Sequence, residues 1–187
     1  MEEFVKNHYP QFVNNYFNFK YNVQRWDAIR YLILDKMGGM YVDFDCECLN
    51  AVDDFVDNAG KCYFSIEPEE HCKDFFRQDT FNNAIMASCP NHPFFKKIID
   101  HIFIEDSYIY TGYKVPDVHK TTGPTMLTNL YQNYNNKDSI VLWPAELASP
   151  WTKKEVRSFI NGSADEVYLE KKIEKAFAIH YFFSLWA

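Results

Sequence analysis

The sequence predicts a single α/β domain over residues 1–187, a sheet covered by helices. Two observations carry that expectation. Short apolar runs bounded by turn residues alternate with longer segments whose apolar residues recur every three to four positions, the patterns of buried strands and of amphipathic helices. In addition, 47% of the 187 residues are hydrophobic, with 17 Phe and 13 Tyr, which is enough for one sizeable core and leaves little room for a second.

Pro10 opens the first predicted helix, because proline at the first helical position gives up an N–H that has no partner there anyway; Phe12, Val13, Tyr16 and Phe17 follow at helical spacing. The next helix spans Arg25 to Met37, with Trp26, Ile29, Ile33 and Met37 as its apolar face and Gly38-Gly39 as its stop. Met40-Tyr41-Val42 then reads as a short buried strand, with Asp43-Phe44-Asp45 at its C-terminal end. Side chains two apart on an extended strand point the same way, so Asp43 and Asp45 are expected to face one ligand while Phe44 turns into the core. Lys61 to Ile66 and Asn83 to Ser88 are further strands, the second followed from Pro93 by a helix carrying Phe94, Phe95, Ile98, Ile99, Ile102 and Phe103. Thr122-Gly123-Pro124 supplies a cap and an N1 proline for a helix with Met126, Leu127 and Leu130, and Ile140 to Trp143 is a strand stopped by Pro144. Residues 151–175 are mostly charged and polar, with Asn161-Gly162 as a turn, before an apolar and aromatic end from Phe177 to Trp186. In alternating folds of this kind ligands gather beyond the carboxyl ends of strands, where Asp43 and Asp45 fall.

The net charge of −7 argues against a nucleic-acid partner, since phosphate backbones are held by clustered Lys and Arg. No apolar run approaches the roughly 18 to 20 residues that span a bilayer, and the Met1 end is polar rather than basic and then apolar. A cytoplasmic chain without a transmembrane segment is expected. Cys46, Cys48, Cys62, Cys72 and Cys89 are odd in number and lack C-x-x-C spacing, which points to reduced thiols rather than a structural zinc site.

Two carboxylates held close together repel unless a cation lies between them, and hard oxygens suit Mg²⁺ or Mn²⁺ that also binds the phosphate oxygens of a diphosphate substrate. A solvated turn would look the same in isolation. Asp27 and Arg30 add to the pattern: at i and i+3 they share a face of the preceding helix, where Arg30 could hold phosphate or sugar hydroxyls, although the pair alone would pass for a surface ion pair.

Arg25-Trp26-Asp27-Ala28-Ile29-Arg30-Tyr31 followed by Gly38-Gly39-Met40-Tyr41-Val42-Asp43-Phe44-Asp45 resembles glycosyltransferase family 32, whose members contain the DXD sugar-binding region. The family includes yeast mannosyltransferases, capsular polysaccharide enzymes and, more distantly, clostridial glucosylating toxins. The resemblance implies a GT-A-like fold with helices around a mixed sheet, and a retaining, Mn²⁺- or Mg²⁺-dependent transfer of a hexose from UDP- or GDP-hexose to a glycan or other hydroxyl acceptor. By motif position Asp27 and Arg30 would bind the donor sugar, Asp43 the ribose or the metal, and Asp45 the metal, with Tyr41 near the nucleotide. Asn83-Ala84-Ile85-Met86-Ala87 with His92-Pro93-Phe94-Phe95 is similar to the family's central strand and helix, which brings Asn83 into the donor-binding set, and Thr122-Gly123-Pro124 matches its T-G-P turn. His180 followed by Ser184-Leu185-Trp186 resembles the closing motif, in which the His completes metal coordination and Ser and Trp contact the diphosphate. On their own residue types, His180 reads as a hydrogen-bonded core histidine, Trp186 as core and Asn83 as a partner for backbone groups beside a strand.

The departure from the family lies at the front. Its members carry a strand, a helix and a second strand before the Asp-x-x-Arg helix, and only residues 1–24 precede that helix here, so the usual N-terminal strand is expected to be lacking. A catalytically weak or inactive carbohydrate-binding relative is therefore the alternative. A phosphohydrolase of the haloacid dehalogenase type also starts from an apolar strand and D-x-D, but Glu47 stands where Thr or Val normally follows. A Ca²⁺ loop over Asp43 to Cys48 is disfavoured because position six lacks its Gly.

Overall fold

The computed structural model describes residues 1–57, 60–74, 80–104 and 109–183. In chain order the elements are α1 (Glu2–His8), α2 (Val13–Phe17), α3 (Asn22–Met37), β1 (Gly39–Val42), β2 (Cys46–Cys48), β3 (Cys62–Ile66), α4 (Glu69–Asp74), β4 (Phe81–Ser88), α5 (Pro93–Phe103), α6 (Lys114–Thr121), α7 (Pro124–Gln132), β5 (Ile140–Trp143), α8 (Ala145–Ala148), α9 (Lys153–Ile160), α10 (Glu166–Ile173) and β6 (Ala178–His180). Four strands form a sheet in the order β1-β4-β3-β5. The β1/β4 and β3/β4 pairs are antiparallel and β3/β5 is parallel, so the sheet is mixed. A second, two-stranded sheet pairs β2 with β6 antiparallel. The α/β class read from the sequence is the observed one.

Helix α3 lies at the centre of the helical layer. Its Tyr31 and Leu34 pack with Phe64, Met86, Phe95 and Ile98 on the sheet side, while Ala28, Ile29 and Leu32 pack with Val5, Tyr9, Tyr16, Ile99 and Phe103 on the other. The opposite face of the sheet is covered by Ala148 of α8 and by Phe177 and Ala178, which pack on Tyr63, Ile85 and Trp143.

This double burial corrects the face predicted for α3. A stripe of Trp26, Ile29, Ile33 and Met37 assumes one buried side; with two sides covered, the remaining solvent side carries Trp26 (45% exposed) and Met37 (66%). Pro10 opens a short 3₁₀ turn, Pro10–Phe12, that leads into α2. Helix α1 was not foreseen. It is anchored by Val5 and, just beyond its end, by the Tyr9 hydroxyl, which donates to Asp35 Oδ2 at 2.6 Å with Leu32 O also within reach at 3.0 Å.

The turn from α3 into β1 depends on glycine at position 38, where φ is +69° and a Cβ would lie 2.7 Å from Pro90 Cδ and 2.9 Å from Ser88 O. Strand β1 is not buried as predicted: it is the edge of its sheet, and Met40 and Val42 are exposed. Asp43 N continues the ladder by donating to Ala84 O at 2.8 Å, after which Cys46 N donates to Asp43 O at 3.1 Å and closes a turn. Residues 43–45 are therefore not extended, period-two alternation does not apply to them, and Phe44 projects fully into solvent (111%) instead of into the core.

The polar stretch 151–175 folds into two helices with strong local start signals. Thr152 and Glu155 form a reciprocal capping box on α9, and the Asp165 carboxylate accepts from Tyr168 N at the start of α10. Their sparse apolar residues, Val156 and Leu169, join Trp151 and Ile179 in a small cluster of their own. All five cysteines are free, and no helix among the described residues is long and apolar enough to cross a membrane.

Candidate functional site

The site is organised by an irregularity in β4. Phe64 of β3 faces Met86, but the adjacent Ser65 faces Asn82, so residues 83–85 of β4 have no partner in β3. The Ser65 hydroxyl lies 3.3 Å from Asn82 O and 3.2 Å from Ile85 O, within hydrogen-bond reach of both carbonyls left by this bulge. Asn82 and Asn83 then serve two different polar networks.

Asn83 joins the first network, built on α3. Its Nδ2 donates to Asp27 Oδ1 at 3.0 Å and to the Tyr31 hydroxyl at 3.1 Å, and its carbonyl accepts from Arg30 NH1 at 2.8 Å. Thr122 Oγ1 donates to the other oxygen of Asp27 at 2.8 Å. The Arg30 guanidinium lies 3.1 Å from Asp27 Oδ1 and 3.3 Å from Asp43 Oδ1, over the ring of Tyr41, whose hydroxyl donates to Asp43. Asp27 and Arg30 are both buried, which separates them from the surface ion pair that their spacing alone suggested. Burial pushes the Asp27 carboxyl up to about 6, against the pull of Arg30, Thr122 and Asn83 in the other direction.

Asp45 anchors the second network. Its Oδ1 lies 3.4 Å from His180 Nε2 and its Oδ2 accepts from Phe183 N at 2.9 Å. Burial alone would raise this carboxyl; the hydrogen bonds from His180 and from the Phe183 amide outweigh it and hold the group below the ordinary range. Cys46 faces His180 across the β2–β6 pair, and donor atoms of Asp45, Cys46 and His180 lie within 4.8 Å of one another. Asn82 Nδ2 stands 3.0 Å from His180 Nδ1. The Phe182 ring packs on both His180 and His71, from a backbone with φ of +51°, a conformation that bulky residues rarely take.

The chain thus brings Asp27, Arg30, Tyr41, Asp43 and Asn83 into one network and places Asp45 with His180 in the next. Asp43, expected beside Asp45 on a shared cation, has its Oδ1 engaged by Arg30 and Tyr41. Carboxylate oxygens remain the hard donors that Mg²⁺ or Mn²⁺ takes, so the residues present fit such an ion. Ser184 and Trp186 lie outside the described residues. Sequence reasoning missed Thr122 as a partner of Asp27, having read it as a cap and as part of the T-G-P turn, and missed Asn82 and Cys46, although each adjoins a residue that it did select. Two surface clefts, about 680 Å³ beside His71, Lys153 and Tyr168 and about 610 Å³ beside Met40, Lys61 and Ser88, are not lined by Asp27, Arg30, Asp43 or Asp45; it is the polar constellation that marks the site.

Residues 1–65 match the family described as glycosyltransferase sugar-binding region containing DXD motif. The match is to a region that DXD glycosyltransferases share. It takes in α3 and the turn with both acids, and leaves Asn83, Thr122 and His180 beyond its end. The chain is similar to the mannosyl phosphorylinositol ceramide synthase of Saccharomyces cerevisiae, at 32% identity over 71% of this chain and 31% of that one. It is similar also to an inositol phosphoceramide mannosyltransferase of Schizosaccharomyces pombe, at 30% identity over 70% of this chain and 37% of that one. The matched segment thus spans about a third of the length of these relatives. Among solved structures, the PaToxG glycosyltransferase overlaps 81% of this chain and 44% of its own, with 18% identity and a TM-score of 0.41. The DXD match sets aside the phosphohydrolase reading of Met40 to Asp45.

Proposed function

We propose that the protein is a retaining, divalent-metal-dependent glycosyltransferase that moves a hexose from UDP- or GDP-hexose to a glycan or other hydroxyl acceptor. The observation that carries this reading is the buried Asp27–Arg30–Asp43 network, lying within the DXD region and next to Asp45. A guanidinium shared by two carboxylates is held in one orientation, with a planar fork of donors suited to phosphate or hydroxyl oxygens.

In this reading Asp27 and Arg30 hold the donor sugar, Asp43 the ribose or the cation, and Tyr41 stands along the nucleotide. Asn83 keeps Asp27 in place, Asp45 holds Mn²⁺ or Mg²⁺, and Ser184 and Trp186 meet the diphosphate. When bound, a divalent cation supplies neutralisation of the charge developing on the leaving diphosphate. The acids are committed to donor and cation, so none is assigned as a covalent nucleophile in the glycosidase manner. Two facts support the sugar and the compartment to test first: the relatives carry mannosyl transfer in their names, and five free thiols suit a reducing cytoplasm.

The test is thermal unfolding with UDP- and GDP-hexoses, GDP-mannose among them, with and without Mn²⁺, on the parent and on Asp45→Asn, followed by assay of sugar release. A donor at about 100 times its Kd adds about 2.7 kcal/mol, roughly 5 to 10 °C for a chain of this size. The expected shift needs Mn²⁺ and disappears in Asp45→Asn. A folded protein that responds to no donor would leave the weak or inactive carbohydrate-binding reading in its place.

A further inference from the structure

We infer that His180 is a hydrogen-bond donor that positions Asp45 rather than a metal ligand, and that Asn82 sets this role by fixing which ring nitrogen carries the proton. The inference builds on the reading that Asp45 holds the cation, but its core is geometric. A backbone N–H can only donate, and Ala84 N lies 2.8 Å from Asn82 Oδ1. That contact fixes the oxygen of the Asn82 amide on one side and its NH₂ on the other, the assignment that amide geometry alone leaves open. Turning the amide over would set NH₂ against N–H at a residue only 2% exposed, and a buried clash of two donors is costly.

The NH₂ so placed is 3.0 Å from His180 Nδ1. A ring nitrogen facing a donor must accept, so Nδ1 carries no proton and the proton sits on Nε2. Nε2 is the nitrogen that faces Asp45 Oδ1 at 3.4 Å. A histidine that binds metal through Nε2 needs the reverse arrangement: a lone pair at Nε2 and an N–H at Nδ1 aimed at a carboxylate, a carbonyl or water. Asn82 presents the wrong polarity for that. The close approach of Asp45, Cys46 and His180 is therefore not an Asp–Cys–His centre for zinc or another thiophilic ion, and His180 acts on the cation only through the carboxylate that it steadies.

The experiment is two-bond ¹H–¹⁵N NMR of the histidine rings in the full chain at mildly alkaline pH, metal-free and with Mg²⁺ or Zn²⁺, the His180 signals being assigned by their loss in His180→Gln. The expected result is a protonated Nε2 in the metal-free protein and with Mg²⁺. Asn82→Asp, which keeps an acceptor for Ala84 N but offers one to Nδ1, is expected to move the proton to Nδ1 and to tighten Zn²⁺ binding about tenfold or more. In His180→Gln the side-chain amide can donate from the place of Nε2, so Mn²⁺ affinity should fall by less than about tenfold, whereas a lost ligand would cost more than the roughly 10–100-fold typical of an outer partner. An unprotonated Nε2 in the metal-free protein, or a metal-bound Nε2 signal on adding Mg²⁺, would overturn the inference. If the parent binds neither ion, it is the cation at Asp45 that fails, and the metal-free tautomer still decides the role of His180.

Discussion

Asp27 is buried, accepts hydrogen bonds from Thr122 and Asn83 and faces Arg30, yet desolvation raises its carboxyl from 3.8 to about 6. The folded protein therefore takes up this proton before the unfolded chain does as pH falls. Between these values the folded state binds more protons, so this group's contribution to stability rises on acidification through pH 6 and is complete below pH 4. Relative to Asp27→Asn, the parent should gain up to about 3 kcal/mol between pH 7 and pH 4, read as a change in the difference between the two melting temperatures. A difference that stays constant across that range would show that Asp27 is not perturbed. That Asp27 and Arg30 share a face was legible from their spacing alone. That they are buried was not, because Thr122 and Asn83, which close over them, come from distant parts of the chain.

Helix α3 carries both of those residues and is covered on two sides, so its stability is set by residues that a one-sided stripe does not predict. Leu32→Ala should cost about 2 to 5 kcal/mol, as a fully buried leucine does. Trp26→Ala should cost far less, since Trp26 is half exposed and supplies Arg30 only through its backbone carbonyl. Urea or thermal unfolding of the two variants separates the cases, and a larger loss at Trp26 would restore the predicted face. The elements that the sequence revealed best have local punctuation: the glycine stop of α3, Pro93 and Pro124 at the first turns of α5 and α7, and Pro144 after β5. Burial of β1 was misread because edge position is decided by which strands pair, and its partner β4 is remote in sequence. The course of residues 43–45 was misread for a related reason: a turn directly after a ladder ends leaves no periodic trace.

Across the whole molecule, the four-stranded sheet and α3 carry Asp27, Arg30 and Asp43, while the small β2–β6 sheet brings His180 to Asp45. The two halves meet at the turn of residues 43–46 and at the neighbouring asparagines of β4. Loosening the second half should leave the first intact. Ile179→Ala removes a buried side chain from the small cluster under β6 and is expected to raise the apparent Kd for Mn²⁺ while preserving the pH signature of Asp27. Mn²⁺ titration beside the pH series checks this, and loss of both together would mean that the site is one unit. The position of Phe44 gives this division a further meaning. Its side chain stands wholly in solvent between two acids that are each tied to different partners, so nothing in the fold selects its identity. The middle letter of D-x-D carries almost no information here, for a physical reason: the turn exports that side chain, and all of the motif's meaning is left to the letters on either side.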